Sequence, residues 1–380
     1  GESKKVGRGR FFWGAAYPAT QVPAGGLPGW SPANLTAAVP GGGVFFCRLP
    51  TLPLACFPAP YPPAPSPMGK GTAAAVVLLF FVCGFIFNQL VWRKTVSIPR
   101  WITNRIAGNA MPDAYEKKNN AAVAAFSQLP IRSVELHTPD GARLAAKVLT
   151  PEKPNGRLLI ACHGARSNGT GEFALMAPYL YKKGYTVLFP DHRGCGESDG
   201  KYMGYGTHES RDTLLWLDYA KIHYPDLPVF LLGVSMGGAT VLMMSDKVNP
   251  AQVKGIIADC AYTSAWAEFR YQLRTSFHLP PFPILHICNL YCKLFAGYSF
   301  HQAAPIAAVA KARVPVLFIH GKKDDFVPFF MRDQLYNACP TEKAKLTVPA
   351  AVHARSYYTD PTAYQLALER FTENCLAPKE

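Results

Sequence analysis

The chain has 380 residues, 49% of them apolar, and its 39 Lys and Arg outweigh 25 Asp and Glu to give a formal charge of +14. That length suits two domains or one large domain with appendages, and the charge suits an anionic surface such as nucleic acid or lipid headgroups. The basic residues are scattered, without a run of five and without a nucleic-acid motif, which argues against nucleic acid as a partner.

Residues 1–67 carry 13 of the 34 prolines, 10 glycines and a single acid, Glu2. Such a segment buries too little to offset its ordering entropy, so disorder is expected there. Met68 is the first methionine, and the alternative is that translation starts at it. Thr72 to Trp92 then runs 21 residues without a charge, "TAAAVVLLFFVCGFIFNQLVW". At 1.5 Å per residue this spans about 30 Å, one hydrocarbon core. Lys70 stands before it and Arg93 and Lys94 after it, so 68–94 reads as a single transmembrane anchor and the lipid bilayer as a partner. No small-x-small cleavage site follows the apolar run. Arg93, Lys94, Arg100 and Arg105 lean the large domain to the cytoplasmic face by the charge rule.

Residues 95–130 read as a helical connector ending at Pro130, ahead of a catalytic domain over 131–380. "RSVELHTPDGARLAAKVL" reads as two strands joined at Pro139-Asp140-Gly141. Six further strands are expected: Leu158 to Cys162, Thr186 to Pro190, Val229 to Gly233, Val253 to Asp259, Val316 to His320 and Lys345 to Val348. Helical stretches such as Glu209 to His223 alternate with them, which predicts a mostly parallel eight-stranded α/β sheet with helices on both faces.

"LLGVSMGGAT" places Ser235 in a Gly233-x-Ser235-x-Gly237 pattern, after a buried strand and before a helix. This is the spacing of a nucleophile elbow, whose helix end offers N–H groups to a developing oxyanion. A serine hydroxyl is a weak nucleophile and needs a base, and the base needs an orienting acid. His353 in "VPAAVHARSYY" follows the last strand, and "VPVLFIHGKKDDFVP" offers Asp324 and Asp325 after the strand before it. Asp324 is preferred because it fits the HG-x-x-D-x-x-VP spacing, and Asp259 is the other candidate acid. The oxyanion donors are Met236 and, after "RLLIACHG", Ala165. His163 and His320 are read as bracing residues, and His192 as part of a glycine-rich turn. Asp191 and Arg193 are read as holding neighbouring loops.

Together "CHGARSNG", "FPDHRGCGES", "GVSMGGAT", "ADCAYTS", "HGKKDDFVPF" and "VHARSYYTDP" resemble the α/β-hydrolase superfamily over residues 130–377. The likeness is to membrane-anchored bacterial serine hydrolases of the esterase and peptidase-like branch. It implies the α/β-hydrolase fold and a Ser-Asp-His acyl-transfer site. Two positions depart from that pattern: Val352 precedes the histidine where glycine is usual, and Ala165 replaces a bulkier residue, which implies a more open acyl site.

Residues 262–313 are aromatic and proline-rich and are expected to form a small helical cap, with Tyr262 and Trp266 lining an apolar acyl site. The other reading of those aromatics is core packing between helices. Arg166, beside the oxyanion loop, either pairs with an anionic substrate group or is a solvated charge. The expected activity is hydrolysis of small-molecule carboxylic esters of moderately hydrophobic acids, without a cofactor or metal. Peptidase, thioesterase and acyltransferase chemistry on the same triad remain open, as does a non-catalytic binding module on the same fold.

Overall fold

The structure, a computed structural model, describes residues 70–92 and 113–378. The segment 1–67, Met68 and the first part of the connector, 95–112, lie outside the described residues.

Helix α1 (Lys70–Val91) is uncharged after Lys70, its Gly71–Val91 stretch has a mean hydropathy of 2.4, and it is long enough to cross a membrane by length and composition. Helix α2 (Asp113–Phe126) leads into the hairpin β1 (Ile131–His137) and β2 (Arg143–Leu149). The turn between them closes with the Gly141 N–H on the Thr138 carbonyl at 2.9 Å, and Gly141 takes φ +84°, a region that glycine enters without a Cβ penalty.

The strands β3 (Leu158–Cys162), β4 (Thr186–Pro190), β5 (Val229–Val234), β6 (Val253–Asp259), β7 (Val316–Gly321) and β8 (Lys343–Val348) complete an eight-stranded sheet. Its order is β1-β2-β4-β3-β5-β6-β7-β8. β2 runs antiparallel to both of its neighbours, and β3 to β8 are parallel. The mostly parallel α/β sheet anticipated from the sequence is therefore the observed one. The last strand begins at Lys343, two residues earlier than its apolar pattern suggests. As an edge strand it is held by backbone pairing with β7 (Val316 opposite Lys343), so exposed polar side chains are tolerated along it.

Side chains on successive strand positions point to opposite faces, and both faces here are covered. Ile160, Leu231, Ile256 and Phe318 pack on one side with Trp216, Val241 and Leu335. Their sequence neighbours Leu159, Phe230, Ile257 and Leu317 pack on the other with Phe173, Tyr364 and Leu368. This explains why the central strands are continuous aliphatic runs rather than alternating ones. Each large side chain so buried contributes about 1.5–3 kcal/mol. The helices on these faces are α3 (Gly169–Phe173), α4 (Ala177–Lys182), α5 (Thr207–His223), α6 (Met236–Leu242), α10 (Phe330–Ala338), α11 (Ser356–Thr359) and α12 (Pro361–Leu376).

Between β6 and β7 the chain forms α7 (Ala265–Thr275), α8 (Pro281–Tyr291), a π-helical turn (Cys292–Ala296) and α9 (Pro305–Val309). A third core joins α7, α8 and the π turn to Cys83, Phe87 and Val91 of α1 and to Met236.

Candidate active site

Ser235 stands between β5 and α6 with φ 54° and ψ −114°. A non-glycine residue held there costs about 1–3 kcal/mol, which the surrounding packing must offset. The glycines on either side make the turn possible. A Cβ on Gly233 would run into the Gly237 carbonyl, and one on Gly237 into the Cys162 carbonyl of β3. Backbone bonds fix the turn from both sides: Ser235 N–H reaches the Asp259 carbonyl at 2.8 Å, and Ala239 N–H reaches the Ser235 carbonyl at 2.9 Å.

The Ser235 hydroxyl lies 2.9 Å from His353 Nε2, and His353 Nδ1 lies 2.8 Å from Asp324 Oδ2. With a carboxylate at Nδ1, the proton sits on that nitrogen and Nε2 is left as acceptor for the hydroxyl hydrogen. Asp324 is buried, and burial alone would raise its pKa. Its electrostatic and hydrogen-bond interactions with His353 and His320 outweigh that and hold it at about 2. Its other oxygen, Oδ1, accepts the N–H groups of Phe326 (3.1 Å) and Val327 (2.9 Å). His320 Nε2 lies 3.2 Å from Asp324 Oδ2 and 2.9 Å from the Val327 carbonyl. The acid and histidine loops are tied together by Lys322 N–H on the Val348 carbonyl and Lys323 N–H on the Ala351 carbonyl, each at 3.0 Å.

Opposite the histidine lies the loop after β3. A side chain built on Gly164 would stand 3.6 Å from the Ser235 Cβ, so this loop borders the nucleophile. The Gly164 N–H donates to Glu172 Oε2 at 3.1 Å, and His163 Nδ1–H donates to the Gly164 carbonyl at 2.7 Å. His163 Nε2 accepts the His192 N–H at 2.9 Å, and burial keeps its pKa low, so the ring is a neutral brace. Asp191 holds the neighbouring turns by accepting Gly169 N–H (2.9 Å) and Glu197 N–H (2.8 Å). Among the described residues, the N–H groups of Ala165 and Met236 have no hydrogen-bond partner. A pair of donors flanking a serine in this way suits an oxyanion.

The other residues singled out in the sequence have different surroundings. Asp259 is buried, accepts the Ser356 hydroxyl at 2.8 Å, and has its pKa pushed up to about 6 by burial. The Arg166 guanidinium donates to the carbonyls of Gln89 and Trp92 at the end of α1. The Tyr262 hydroxyl donates to the Tyr205 carbonyl at 2.9 Å, and Trp266 stacks on His301 with ring centroids 4.0 Å apart. Cys260, Asp324 and His353 form a group of metal-ligand type, with ligand atoms within 4.8 Å of one another. Since Asp324 and His353 already bond each other, the cluster is read as part of the serine–histidine–aspartate chain.

Comparison with known proteins adds the lineage. Residues 157–281 match the family model described as alpha/beta hydrolase fold. The uncharacterized protein YqkD of Bacillus subtilis is 32% identical over 303 residues, 79% of this chain and 95% of its own length. The chain belongs to the α/β-hydrolase family. Among its relatives, the monoglyceride lipase of Mus musculus is 30% identical over 149 residues, 39% of this chain and 47% of the lipase. An esterase of Pyrococcus furiosus shares the fold at 20% identity and a TM-score of 0.53, covering 65% of this chain and 92% of the esterase.

Two supports of this site escape sequence reasoning: Glu172 on the Gly164 N–H, and Ser356 on Asp259. Only the first leaves a local trace. Asn168 caps α3 by accepting Gly171 N–H at 2.6 Å, and an Asn ahead of an acid in the first turn is a helix-start signal. The Ser356–Asp259 contact joins segments 97 residues apart in the chain.

Proposed function

We propose that the protein is a serine hydrolase of carboxylic esters, held at a membrane by α1. The observation that carries this reading is the continuous relay from Ser235 through His353 to Asp324, at 2.9 and 2.8 Å, mounted on a strained elbow.

In the proposed reaction, Ser235 Oγ attacks the ester carbonyl while His353 Nε2 takes the hydroxyl proton. The tetrahedral oxyanion is held by the Ala165 and Met236 N–H groups. Its collapse breaks the bond to the alkoxy group, which leaves as alcohol with the proton from His353. Water then attacks the acyl-enzyme, giving its proton to Nε2, and the second collapse frees the acid and returns the proton to Ser235. Asp324 stays ionised and keeps the imidazole in the required tautomer. The residues Arg93, Lys94, Arg100 and Arg105 favour the cytoplasmic face for the catalytic domain.

The test is labelling by a fluorophosphonate probe together with hydrolysis of a p-nitrophenyl ester series. Both should vanish in Ser235→Ala, and retained ester hydrolysis in that variant would sink the proposal. Amide and thioester analogues assayed beside the esters, with an alcohol acceptor present, separate esterase from peptidase, thioesterase and acyltransferase.

A further inference from the structure

Helix α1 does not stand clear of the catalytic body. Cys83, Phe87 and Val91, spaced i, i+4, i+8, form a buried stripe facing α8 and the π turn. The Tyr291 hydroxyl donates to the Phe80 carbonyl at 3.1 Å, and the Cys288 thiol to the Cys83 carbonyl at 3.5 Å. Near the helix end, the Tyr205 hydroxyl donates to the Leu90 carbonyl (2.7 Å) and the Met203 N–H to the Val91 carbonyl (2.9 Å). From Phe80 onward the helix is therefore fixed to the body. Among the described residues, about nine precede Leu79, roughly 14 Å of helix at 1.5 Å each. That is half the roughly 30 Å of a hydrocarbon core, so the helix cannot lie fully in lipid while its neighbours stay in water.

The neighbouring surface has the matching chemistry. On α8 and the π turn, Phe282 (70% exposed), His286, Leu290 and Leu294 (67%) recur every four residues on the outer side, with Phe295 beside them. On α1, Leu78, Phe81 (73%), Val82 and Phe85 are likewise exposed. The two groups adjoin, because Phe87 and Tyr291 pack together at the seam with ring centroids 6.1 Å apart. Contiguous exposed apolar surface of this kind marks a membrane or protein contact rather than a solvated face.

We propose that α1 and the outer side of α8 and the π turn form one lipid-embedded surface, so that the catalytic body is seated in one leaflet instead of tethered above it. The proposal rests on reading α1 as a membrane element. The occupant is lipid because α1 itself has the length and hydropathy of a membrane span and the cap face continues it. Lys293, exposed on the π turn, is placed to extend its ammonium to the headgroups.

The experiment introduces an environment-sensitive fluorescent amino acid at single positions of the full chain, reconstituted in phosphatidylcholine vesicles with or without brominated acyl chains. The positions are Phe81 on α1, Phe282 and Leu294 on the cap, and Ile222 on α5 as an exposed control. Blue-shifted emission, quenched by the brominated chains at 81, 282 and 294 but not at 222, is the expected result. Quenching at 81 alone overturns the proposal while leaving α1 as an anchor. No quenching at any position overturns both. A blue shift at 282 and 294 without quenching assigns the face to a second copy or another protein, and likewise overturns the proposal.

Discussion

Ser356 donates its hydroxyl hydrogen to Asp259 at 2.8 Å, while His353, three residues earlier, bonds Asp324 at the same distance. Two buried carboxylates, one closing β6 and one just past β7, thus serve different partners, and the histidine has one acid. Asp324→Asn should lower kcat for ester hydrolysis by roughly 10^3–10^4-fold, as loss of the tautomer-setting acid does in other triads. Asp259→Asn keeps an oxygen for Ser356 and should retain most of the activity. Comparable losses in both variants would contradict this division.

The same two groups give opposite pH dependences. The Asp259 pKa, about 6 in the folded protein, lies above the unfolded value near 3.9. The folded state therefore binds this proton more tightly. The stability it contributes is complete below pH ~3.9 and lost as pH rises through about 6, at a cost of about 3 kcal/mol. Asp259→Asn should therefore be more resistant to urea than the parent at pH 8 and nearly equal to it at pH 4. An equal destabilisation at both pH values would refute the assignment. Asp324, held at about 2, contributes in the other direction: its share is present above pH ~3.9 and lost as pH falls through about 2.

Gly237→Ala places a methyl group against the Cys162 carbonyl. Since the atoms it meets, the Cys162 and His163 carbonyls, are backbone, the elbow must shift, at a cost of about 3 kcal/mol. The shift also moves the Met236 N–H, so kcat should fall even at temperatures where the variant stays folded. Parallel melting curves and rate measurements check both effects.

Arg193 joins Asp140 and Asp212 through one guanidinium, at 2.7 and 2.8 Å, and the Asp212 side chain is only 7% exposed. Arg193→Ala leaves that carboxylate buried without its cation and should cost about 3–5 kcal/mol. Arg193→Lys should recover only part of this, because a single ammonium cannot reproduce the fork. Urea midpoints of the two variants measure the difference.

Arg166 engages the carbonyls of Gln89 and Trp92, which ties the loop bearing Ala165 to the end of α1. Arg166→Ala should reduce kcat by loosening that loop. It should leave the preference between neutral and anionic esters unchanged. A shift in that preference would show instead that the guanidinium meets substrate.

The sheet was legible because each central strand is a short aliphatic run bounded by Gly, Pro or Asp, and parallel strands buried on both faces must read that way. The elbow was legible for a steric reason, since only glycine fits at 233 and 237. The docking of α1 was not. A helix apolar on every side has no preferred face in its sequence, and its buried stripe at 83, 87 and 91 is defined by Cys288, Tyr291 and Phe295, some two hundred residues later. The Ser356–Asp259 contact, between residues 97 apart, depends likewise on how distant segments meet at the sheet.

The order of the strands carries a consequence for synthesis. Ser235 comes from the centre of the sheet, but its base follows β8, which pairs only at the outer edge with β7. On the proposed mechanism, the serine has no base until the ribosome has added the 118 residues that lead from Ser235 to His353. If the proposed esterase reading holds, a nascent chain is chemically silent until β8 has docked, and the first burst of ester cleavage can be used as a clock for that docking.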